Sequence, residues 1–242
     1  MRRFYKHATA GQAEAGWQVL LDGKPMRTPA GAGLVLPTEA LARAIAAEWD
    51  AVPDKAEIKT GRLPLTRLGA TGTDRVTSQR SRVIADTAKY AGSDLLCYRA
   101  TDPVSLVERQ QTLWQPWLDW AADRYGARLV VTSGTSFADQ PPSATAPLAD
   151  AVARHSDLAL AALYNLTHIA GSVVLALAVS ERALDAAGAY AAAELDALYQ
   201  IERWGEDPTA QARLDGVRTD IAATALFLEL LGSARLIPRE TP

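Results

Sequence analysis

The 242 residues of this chain have the composition of a globular protein: 48% are hydrophobic, 22% are charged, and the formal net charge is -3. This balance excludes disorder over most of the length and provides no excess of Lys and Arg for binding nucleic acid phosphates. Cys97 is the one cysteine, so an intramolecular disulfide and a thiolate metal cage are both excluded. The N-terminal residues carry charge with no apolar stretch behind them, so no secretory signal is expected.

The first sixty residues have the pattern of a small β-rich module. Residues 17–21 and 24–28 predict two strands with Asp22 and Gly23 between them. Asp-Gly is a preferred dipeptide of type I′ hairpin turns, because both of its positions need a positive φ. Residues 34–36 predict a third short strand. We therefore assign Asp22 and Gly23 a structural role as the turn of this hairpin.

A helix is expected to follow these strands. Thr38 is a suitable residue for its N-cap, and the helix is expected to end at Asp50. Leu41, Ile45 and Trp49 recur at helical spacing along it and form one apolar face. Trp49 is therefore assigned a structural role: we expect it to join the helix to the N-terminal sheet or to an interface between domains.

From about residue 63 onward, the hydrophobic residues recur with the period of helices. The predicted helices span residues 75–91, 103–125, 149–155, 158–179, 181–204 and 208–231. Pro116 is expected to kink or divide the second of them, and residues 132–147, rich in Ser, Thr and Pro, predict a loop. The sequence thus predicts an α+β fold, in which a small β-rich N-terminal domain, residues 1–60, precedes a larger all-helical C-terminal domain, residues 61–242.

Residues 158–179 contain no charged residue and are long enough to span a bilayer. The polar residues Asn165, Thr167 and His168 interrupt this segment, which favours the central helix of a soluble helical bundle. No stable membrane insertion is therefore expected. Within such a helix, His168 is predicted to be a hydrogen-bonded histidine of the core.

The sequence offers no candidate for a catalytic or metal site. The histidines are far apart, and none has the spacing of metal ligands: His7, His155 and His168. Cys97 lies in an apolar run and is expected to be buried and inert. Residues 31–33 and 69–74 contain glycines but lack the rest of a dinucleotide or nucleotide-binding loop. No catalytic residue, metal or cofactor is predicted, and the chain is not expected to be an enzyme.

Aromatic and charged residues meet near the end of the helix predicted for residues 181–204. One interpretation is an ordinary helix stop, in which Trp204 covers the edge of the core, Arg203 faces the helix dipole and Gly205 forms a left-handed cap. The other is an interaction surface, because Trp, Tyr and Arg are the residues that most often anchor interfaces. Tyr199 lies one turn before this group. Composition alone favours the helix stop.

Several segments, taken in their order and spacing, form a specific pattern from about Phe4 to Leu231. They are residues 20–25, 27–29, 63–68, 94–99, 106–110, 125–126 and 199–205, together with Trp114, Pro116 and Trp120. With this pattern the chain resembles the family of ATP synthase assembly chaperones that act on the alpha subunit of the F1 catalytic head. The resemblance implies a β-rich N-terminal domain followed by a larger helical domain, and a role that is not enzymatic.

The resemblance also implies a mechanism and a site. A free alpha subunit exposes apolar surface that its beta partner later covers, and a chaperone on that surface prevents aggregation until the beta subunit replaces it. Acidic residues at the rim aid selection and exchange. The position that matches the family's implicated acidic residue is Asp196, with Glu202 as the alternative. The implied partner-binding residues are Asp196, Tyr199, Glu202, Arg203, Trp204 and Gly205.

The resemblance further implies a bacterial, cytoplasmic form, whereas eukaryotic relatives act in the mitochondrial matrix. The free chain is expected to be monomeric and to bind neither nucleic acid nor membrane. Two alternatives stay open at this point. One is a small-molecule enzyme with a cleft between its two domains, and the other is a helical scaffold protein whose binding is indifferent to the alpha subunit.

Overall fold

The hairpin predicted at Asp22 and Gly23 is confirmed, because these residues have φ of 48° and 80°. The computed structural model describes residues 2–134, 136–205 and 207–237. In it, β2 (Gly16–Leu21) and β3 (Lys24–Pro25) meet at this turn, and β2 also pairs with β1 (Ala8–Ala13). The three strands form an antiparallel sheet in the order β1–β2–β3.

Strand β1 is not indicated by the sequence. It consists of small and polar residues, so no alternation of hydrophobic side chains marks it. It is a strand because every one of its residues lies opposite a residue of β2, from Ala8 opposite Leu21 to Ala13 opposite Gly16. Pairing with a more strongly β-forming neighbour therefore decides its conformation.

The side chain of Asp22 supports the entry into this sheet. Its carboxylate accepts hydrogen bonds from the backbone N–H groups of Lys6, at 3.0 Å, and of His7, at 2.9 Å. These bonds lower the pKa of Asp22, because they stabilise its charged form. The turn residue thus also holds the chain just before β1.

The helix expected after the strands is α1 (Glu39–Asp50). Its N-cap is Thr38, whose Oγ1 accepts a hydrogen bond from the N–H of Leu41 at 3.3 Å, as predicted. Its apolar face is buried: Ile45 is 0% exposed and Trp49 is 8% exposed. The predicted strand at residues 34–36, in contrast, is reduced to isolated bridges.

One of these bridges restricts Gly16. Leu36 and Trp17 exchange two backbone hydrogen bonds, of 2.8 Å and 2.7 Å, and a Cβ on Gly16 would lie 2.5 Å from the carbonyl oxygen of Leu36. Gly16 also has a φ of 142°, which side chains disfavour. We expect Gly16→Ala to lower the free energy of unfolding by about 2–3 kcal/mol, measured by urea denaturation.

Gly33 provides the matched control for this prediction. It lies in the same part of the chain, and a Cβ added there has no heavy atom within 4 Å. We expect Gly33→Ala to change the stability by less than about 0.5 kcal/mol. Equal losses in the two variants would show that the contact with Leu36 does not limit residue 16.

Helices make up most of the remaining described residues. They are α2 (Pro64–Thr71), α3 (Thr77–Ala88), α4 (Val104–Tyr125), α5 (Pro142–Ala153), α6 (Asp157–Ala170), α7 (Val173–Ser180), α8 (Ala186–Ala193), α9 (Leu195–Trp204) and α10 (Pro208–Leu231). A short parallel ladder joins β4 (Tyr98–Arg99) to β5 (Thr132–Ser133). A small N-terminal sheet followed by many helices confirms the predicted α+β class.

Two predicted helices are each divided in the structure. The segment 158–179 forms α6 and α7, because Gly171 has a φ of 63° and Ser172 begins a new helix by accepting a hydrogen bond from the N–H of Leu175 at 3.0 Å. The segment 181–204 likewise contains α8 and α9. Among the described residues, no helix has the length and apolar character needed to cross a membrane.

Three further expectations are narrowed or corrected. Pro116 does not divide α4, which is continuous from Val104 to Tyr125, and a kink at Pro116 stays a prediction. The loop expected at residues 132–147 ends earlier, because α5 begins at Pro142, a position where the missing N–H of proline costs no helical bond. His168 is exposed rather than in the core, and its Nδ1 lies 2.7 Å from the hydroxyl of Tyr90.

The chain divides into two compact units. The first comprises the described parts of Met1–Arg80, His155–Ala162 and Leu226–Pro242, and the second those of Ser81–Arg154 and Leu163–Ala225. The first unit contains the sheet with α1 and α2, and the second contains the β4–β5 ladder with α4, α5, α7, α8 and α9. The boundary at residue 60, between a β-rich N-terminal domain and a helical C-terminal domain, stays a prediction.

Candidate functional site

Helix α9 carries most of the residues that the sequence singled out. It buries Leu195 and Tyr199, whereas residues 202–204 near its end are exposed. It ends at Gly205, which has a φ of 91° and a ψ of 172°. The φ is positive, as a glycine favours, but the ψ is extended, so the expected left-handed cap is wrong.

The side chain of Trp204 is 79% exposed. It does not cover the edge of the core, which corrects the helix-stop interpretation of this residue. A tryptophan is a large apolar side chain of a type that is enriched at protein–protein interfaces. Its exposure at the end of α9 therefore marks this end of the helix as a candidate contact surface.

Tyr199 lies beneath this surface. It is 4% exposed, and its hydroxyl lies 2.6 Å from Oγ of Ser105 on α4. The guanidinium groups of Arg109 and Arg203 lie 5.2 Å and 5.4 Å from the centre of its ring, in the range of cation–π contacts. Tyr199 is thus a buried support that positions two arginines from two helices.

Charged residues connect α4 with α9 at the surface. Nη1 of Arg109 lies 2.7 Å from Oε2 of Glu202, and Nη2 of Arg203 donates to Oγ of Ser105 at 3.1 Å. The side chains of Arg109 and Glu202 are 41% and 57% exposed, so this ion pair contributes at most about 1 kcal/mol to stability. Both charges remain accessible to a partner.

Asp196 has a different environment from Glu202. Its Oδ1 accepts a hydrogen bond of 2.8 Å from Nε2 of Gln110, a side chain that is 1% exposed. Oε1 of Gln110 in turn accepts a bond of 2.8 Å from the N–H of Ala100. Asp196 is therefore half-buried and completes a hydrogen-bonded chain that runs from the end of β4 to α9.

Two buried side chains, those of Arg99 and Trp114, fix the position of α4 next to these hydrogen bonds. Arg99 is 8% exposed, and its guanidinium donates to the carbonyl of Gln110 at 2.7 Å and to that of Leu96 at 2.9 Å. Nε1 of Trp114 donates to the carbonyl of Ala192 at 2.8 Å. These contacts fix the part of α4 from which Arg109 and Gln110 extend towards α9.

We define the α4–α9 surface by the exposed residues at the place where the two helices meet. They are Val104, Ser105, Arg109, Glu202, Arg203 and Trp204. Val104 is 69% exposed and Trp204 is 79% exposed, so each of the two helices carries one exposed apolar side chain in addition to its member of the ion pair. This mixture is typical of protein-binding surfaces.

The described residues contain no cluster of three or more His, Cys, Asp or Glu side chains arranged to hold a metal ion. Cys97 is buried as predicted, and burial raises the pKa of its thiol to about 12. A thiol with such a pKa stays protonated at neutral pH and is a poor nucleophile.

A family model described as ATP12 chaperone protein matches residues 2–122, half of the chain. The chain belongs to the ATP12 chaperone family. The crystal structure of Atp12 from Paracoccus denitrificans, an ATP12 relative, is 39% identical to the chain, with a TM-score of 0.87 over 95% of this chain and 97% of that one. A variant of the same Atp12 with one aspartate replaced by lysine gives the same values.

Two further comparisons support the same family assignment. A structure from Agrobacterium tumefaciens, titled as a proposed chaperone, is 41% identical, with a TM-score of 0.89 over 95% of this chain and 86% of that one. Mitochondrial protein atp12 of Schizosaccharomyces pombe is 23% identical over 93% of this chain and 81% of its own length. The family resemblance derived from the sequence is thereby confirmed.

The predicted site residues of this ATP12 family member fall into two groups. Glu202, Arg203 and Trp204 lie on the α4–α9 surface, with Gly205 exposed at its edge, whereas Tyr199 and Asp196 support it from below. The α4 side of the surface was not predicted: Val104, Ser105 and Arg109, with the buried Gln110 beneath them. The sequence did contain an indication of this side of the surface, because residues 106–110 are one of the segments that carry the family resemblance.

Proposed function

We propose that this ATP12 family member is an assembly chaperone for the F1 sector of ATP synthase that binds the free alpha subunit until the beta subunit replaces it. The observations that support this proposal most are the exposed indole of Trp204 at the end of α9 and the exposed Arg109–Glu202 ion pair that joins α4 to α9. An apolar anchor together with accessible charges suits a client surface that is itself apolar and temporarily uncovered.

The α4–α9 surface suits a contact that must later be broken. One large anchor and a few exposed charges provide specificity and rapid association, with less affinity than the extensive apolar interface between permanent subunits. A chaperone must bind the alpha subunit less tightly than the beta subunit does, because the beta subunit must be able to displace it. We further propose that the chain acts without catalysis or cofactor, as a monomer, and in the bacterial cytoplasm.

The first test removes the apolar anchor. We expect Trp204→Ala to weaken binding of purified alpha subunit by at least 10-fold, because buried tryptophans at interfaces contribute about 2 kcal/mol or more. The melting temperature should not change, since the indole is 79% exposed in the free chain. Phe137→Ala is the matched control: Phe137 is 69% exposed in the same compact unit but lies outside the α4–α9 surface.

The second test separates the two acidic candidates. We expect Glu202→Lys to weaken binding about 10-fold at an unchanged melting temperature, because it reverses an exposed charge. Asp196→Asn removes the other charge but keeps an oxygen that accepts the bond from Gln110, and we expect it to bind normally. Asp196→Lys would lose that bond and lower stability, so its binding must be compared at matched folded fractions.

A charge swap shows how Glu202 acts. In the double variant Arg109→Glu/Glu202→Lys, the ion pair is restored with its order reversed. Binding that stays weak indicates that the client contacts Glu202 or Arg109 directly, whereas recovered binding indicates that the client needs only the ion pair that joins α4 to α9. Normal binding by both Trp204→Ala and Glu202→Lys would contradict the proposed site.

A further inference from the structure

A cavity of about 680 Å³ lies within the first compact unit, apart from the α4–α9 surface. This volume is in the range of ligand-binding pockets, about 300–1,000 Å³. Most of its wall is apolar and comes from Met26, Leu34, Trp49, Ile58, Leu63 and Ala70. These side chains bury most of their surface in the fold, so the cavity is a concave apolar site and not an irregularity of the surface.

Hydrogen bonds hold the walls of the cavity in place. Nε1 of Trp49 on α1 donates to Oγ1 of Thr66 on α2 at 2.9 Å. The carboxylate of Glu48 accepts from the N–H groups of Leu65 and Thr66, at 2.7 Å and 2.9 Å, and so caps the first turn of α2. The two helices that form the wall are therefore fixed to each other.

The loop that contains Thr28 and Ala30 forms the remaining wall, and Asp74 fixes this loop in place. The two carboxylate oxygens of Asp74 accept hydrogen bonds from Oγ1 of Thr28, at 2.6 Å, and from the N–H of Ala30, at 3.1 Å. Each carboxylate oxygen of Asp74 therefore has a hydrogen-bond donor within the wall of the cavity. A cavity with preorganised walls binds an apolar group without the cost of ordering its own side chains.

The charged side chains of the lining are mostly positive. They are Arg27, Arg67 and Arg75, against the single carboxylate of Asp74. Glu48 lies close enough to Arg67 to interact with it electrostatically, but its oxygens face the start of α2. Arg27 and Arg75 are exposed whereas the apolar lining is buried, so positive charge surrounds an apolar interior.

We propose that this cavity binds an apolar side chain of the client polypeptide that has acidic residues on either side of it. The proposal rests on the chaperone function proposed above and adds a second contact to it. The spacing of the arginines favours a polypeptide: Arg67 and Arg75 are eight residues apart along a helical stretch, a separation of about 12 Å along its axis. Two acidic residues that flank an apolar anchor match this spacing, because each can pair with one arginine, whereas a lone carboxylate supplies a single charge for both.

The probe for the test is 1-anilinonaphthalene-8-sulfonate, an aromatic anion that fluoresces in apolar surroundings. We expect the full chain to bind it in the cavity, and the purified alpha subunit to displace it. Ala70→Leu fills the cavity without removing a hydrogen bond, and we expect it to reduce both probe binding and alpha-subunit binding at least 10-fold. Trp204→Ala should keep the probe fluorescence, because Trp204 lies outside the cavity.

Charge variants provide a version of the test that does not alter the core. Arg75→Glu changes an exposed residue of the lining, and we expect it to weaken binding of the alpha subunit several-fold. Lys24→Glu changes an exposed cation of the same unit that is not part of the lining, and it should bind normally. Equal effects of the two reversals would indicate a general effect of charge and would overturn the proposal.

Three other outcomes would overturn it. If Ala70→Leu, folded by its melting curve, binds the alpha subunit as well as the unchanged chain does, the client does not use the cavity. If laurate displaces the probe and the alpha subunit does not, the cavity belongs to a small amphipathic anion. If the unchanged chain fails to retain the alpha subunit in a pull-down, the proposed function itself is wrong, and the cavity proposal fails with it.

Discussion

Replacing Asp94 with Ala is expected to lower the free energy of unfolding by about 3–5 kcal/mol. Asp94 is 0% exposed, and its oxygens accept hydrogen bonds from the N–H groups of Leu96 and Val174, each at 3.1 Å. The carboxylate also accepts from Ser172 and from the N–H of Val173. Alanine would leave several buried donors without an acceptor, each at a cost of about 1–3 kcal/mol.

The same residue predicts a dependence of stability on pH. Burial raises the pKa of Asp94 from 3.8 to about 6, although the hydrogen bonds that it accepts oppose this shift. Because the pKa is higher in the folded chain, the folded state binds the proton more tightly. The stability that this group contributes is fully present below about pH 4 and is lost as the pH rises through about 6, a loss of about 3 kcal/mol.

Comparison with Asp94→Asn isolates this effect from the other titrating groups. Asn does not titrate, so the unfolding free energy of the unchanged chain, relative to that of the variant, should fall by about 2–2.5 kcal/mol from pH 4 to pH 7. Urea denaturation at several pH values measures that difference. A difference that stays constant over this range would show that the pKa of Asp94 is not raised.

The second large effect is expected for Trp49→Arg, which should lower the free energy of unfolding by about 3–5 kcal/mol. The indole is 8% exposed, donates to Thr66 at 2.9 Å and contacts the ring of Tyr5, with centroids 5.7 Å apart. Arginine would remove this packing and place a charge among apolar side chains. For a chain of this size, the melting temperature should fall by about 6–20 °C.

Trp49→Phe is the control for this variant. It keeps an aromatic ring against Tyr5 but loses the hydrogen bond to Thr66, so we expect a loss of about 1–2 kcal/mol. Calorimetric melting of both variants distinguishes the loss of packing from the loss of one bond. An unchanged melting temperature for Trp49→Arg would show that Trp49 does not connect α1 to the rest of its unit.

The α4–α9 surface shows how far a site can be predicted from a sequence. Glu202, Arg203 and Trp204 were candidates because they combine the residue types of interfaces at one helix end. The sequence alone favoured a buried Trp204, whereas the side chain is 79% exposed. Whether a neighbouring helix covers an aromatic residue depends on how the chain packs, and local spacing does not contain that information.

The side chains that pair with Glu202 and Asp196 could not be predicted from the sequence either. Glu202 pairs with Arg109, and Asp196 with Gln110, at sequence separations of 93 and 86 residues. From helical spacing, the two acids point about 120° apart, yet both reach consecutive residues of α4. The packing of α4 against α9 brings them to one place, and it gives Asp196 a buried partner while Glu202 stays exposed.

The sequence by itself determined the features that depend on a few adjacent residues. The Asp22–Gly23 turn, the Thr38 cap and the end of α4 at Gly126, which has a φ of 74°, all follow from local backbone preferences. Tertiary structure alone decided strand β1 and the exposure of Trp204. Strand β1 needs β2 as its partner. The start of α7 depends on both levels, because the local cap by Ser172 is joined by the buried carboxylate of Asp94, 80 residues before Val174 in the chain. Contacts between distant segments outweigh weak local preferences, because each buries more surface or satisfies more hydrogen bonds than the local alternative.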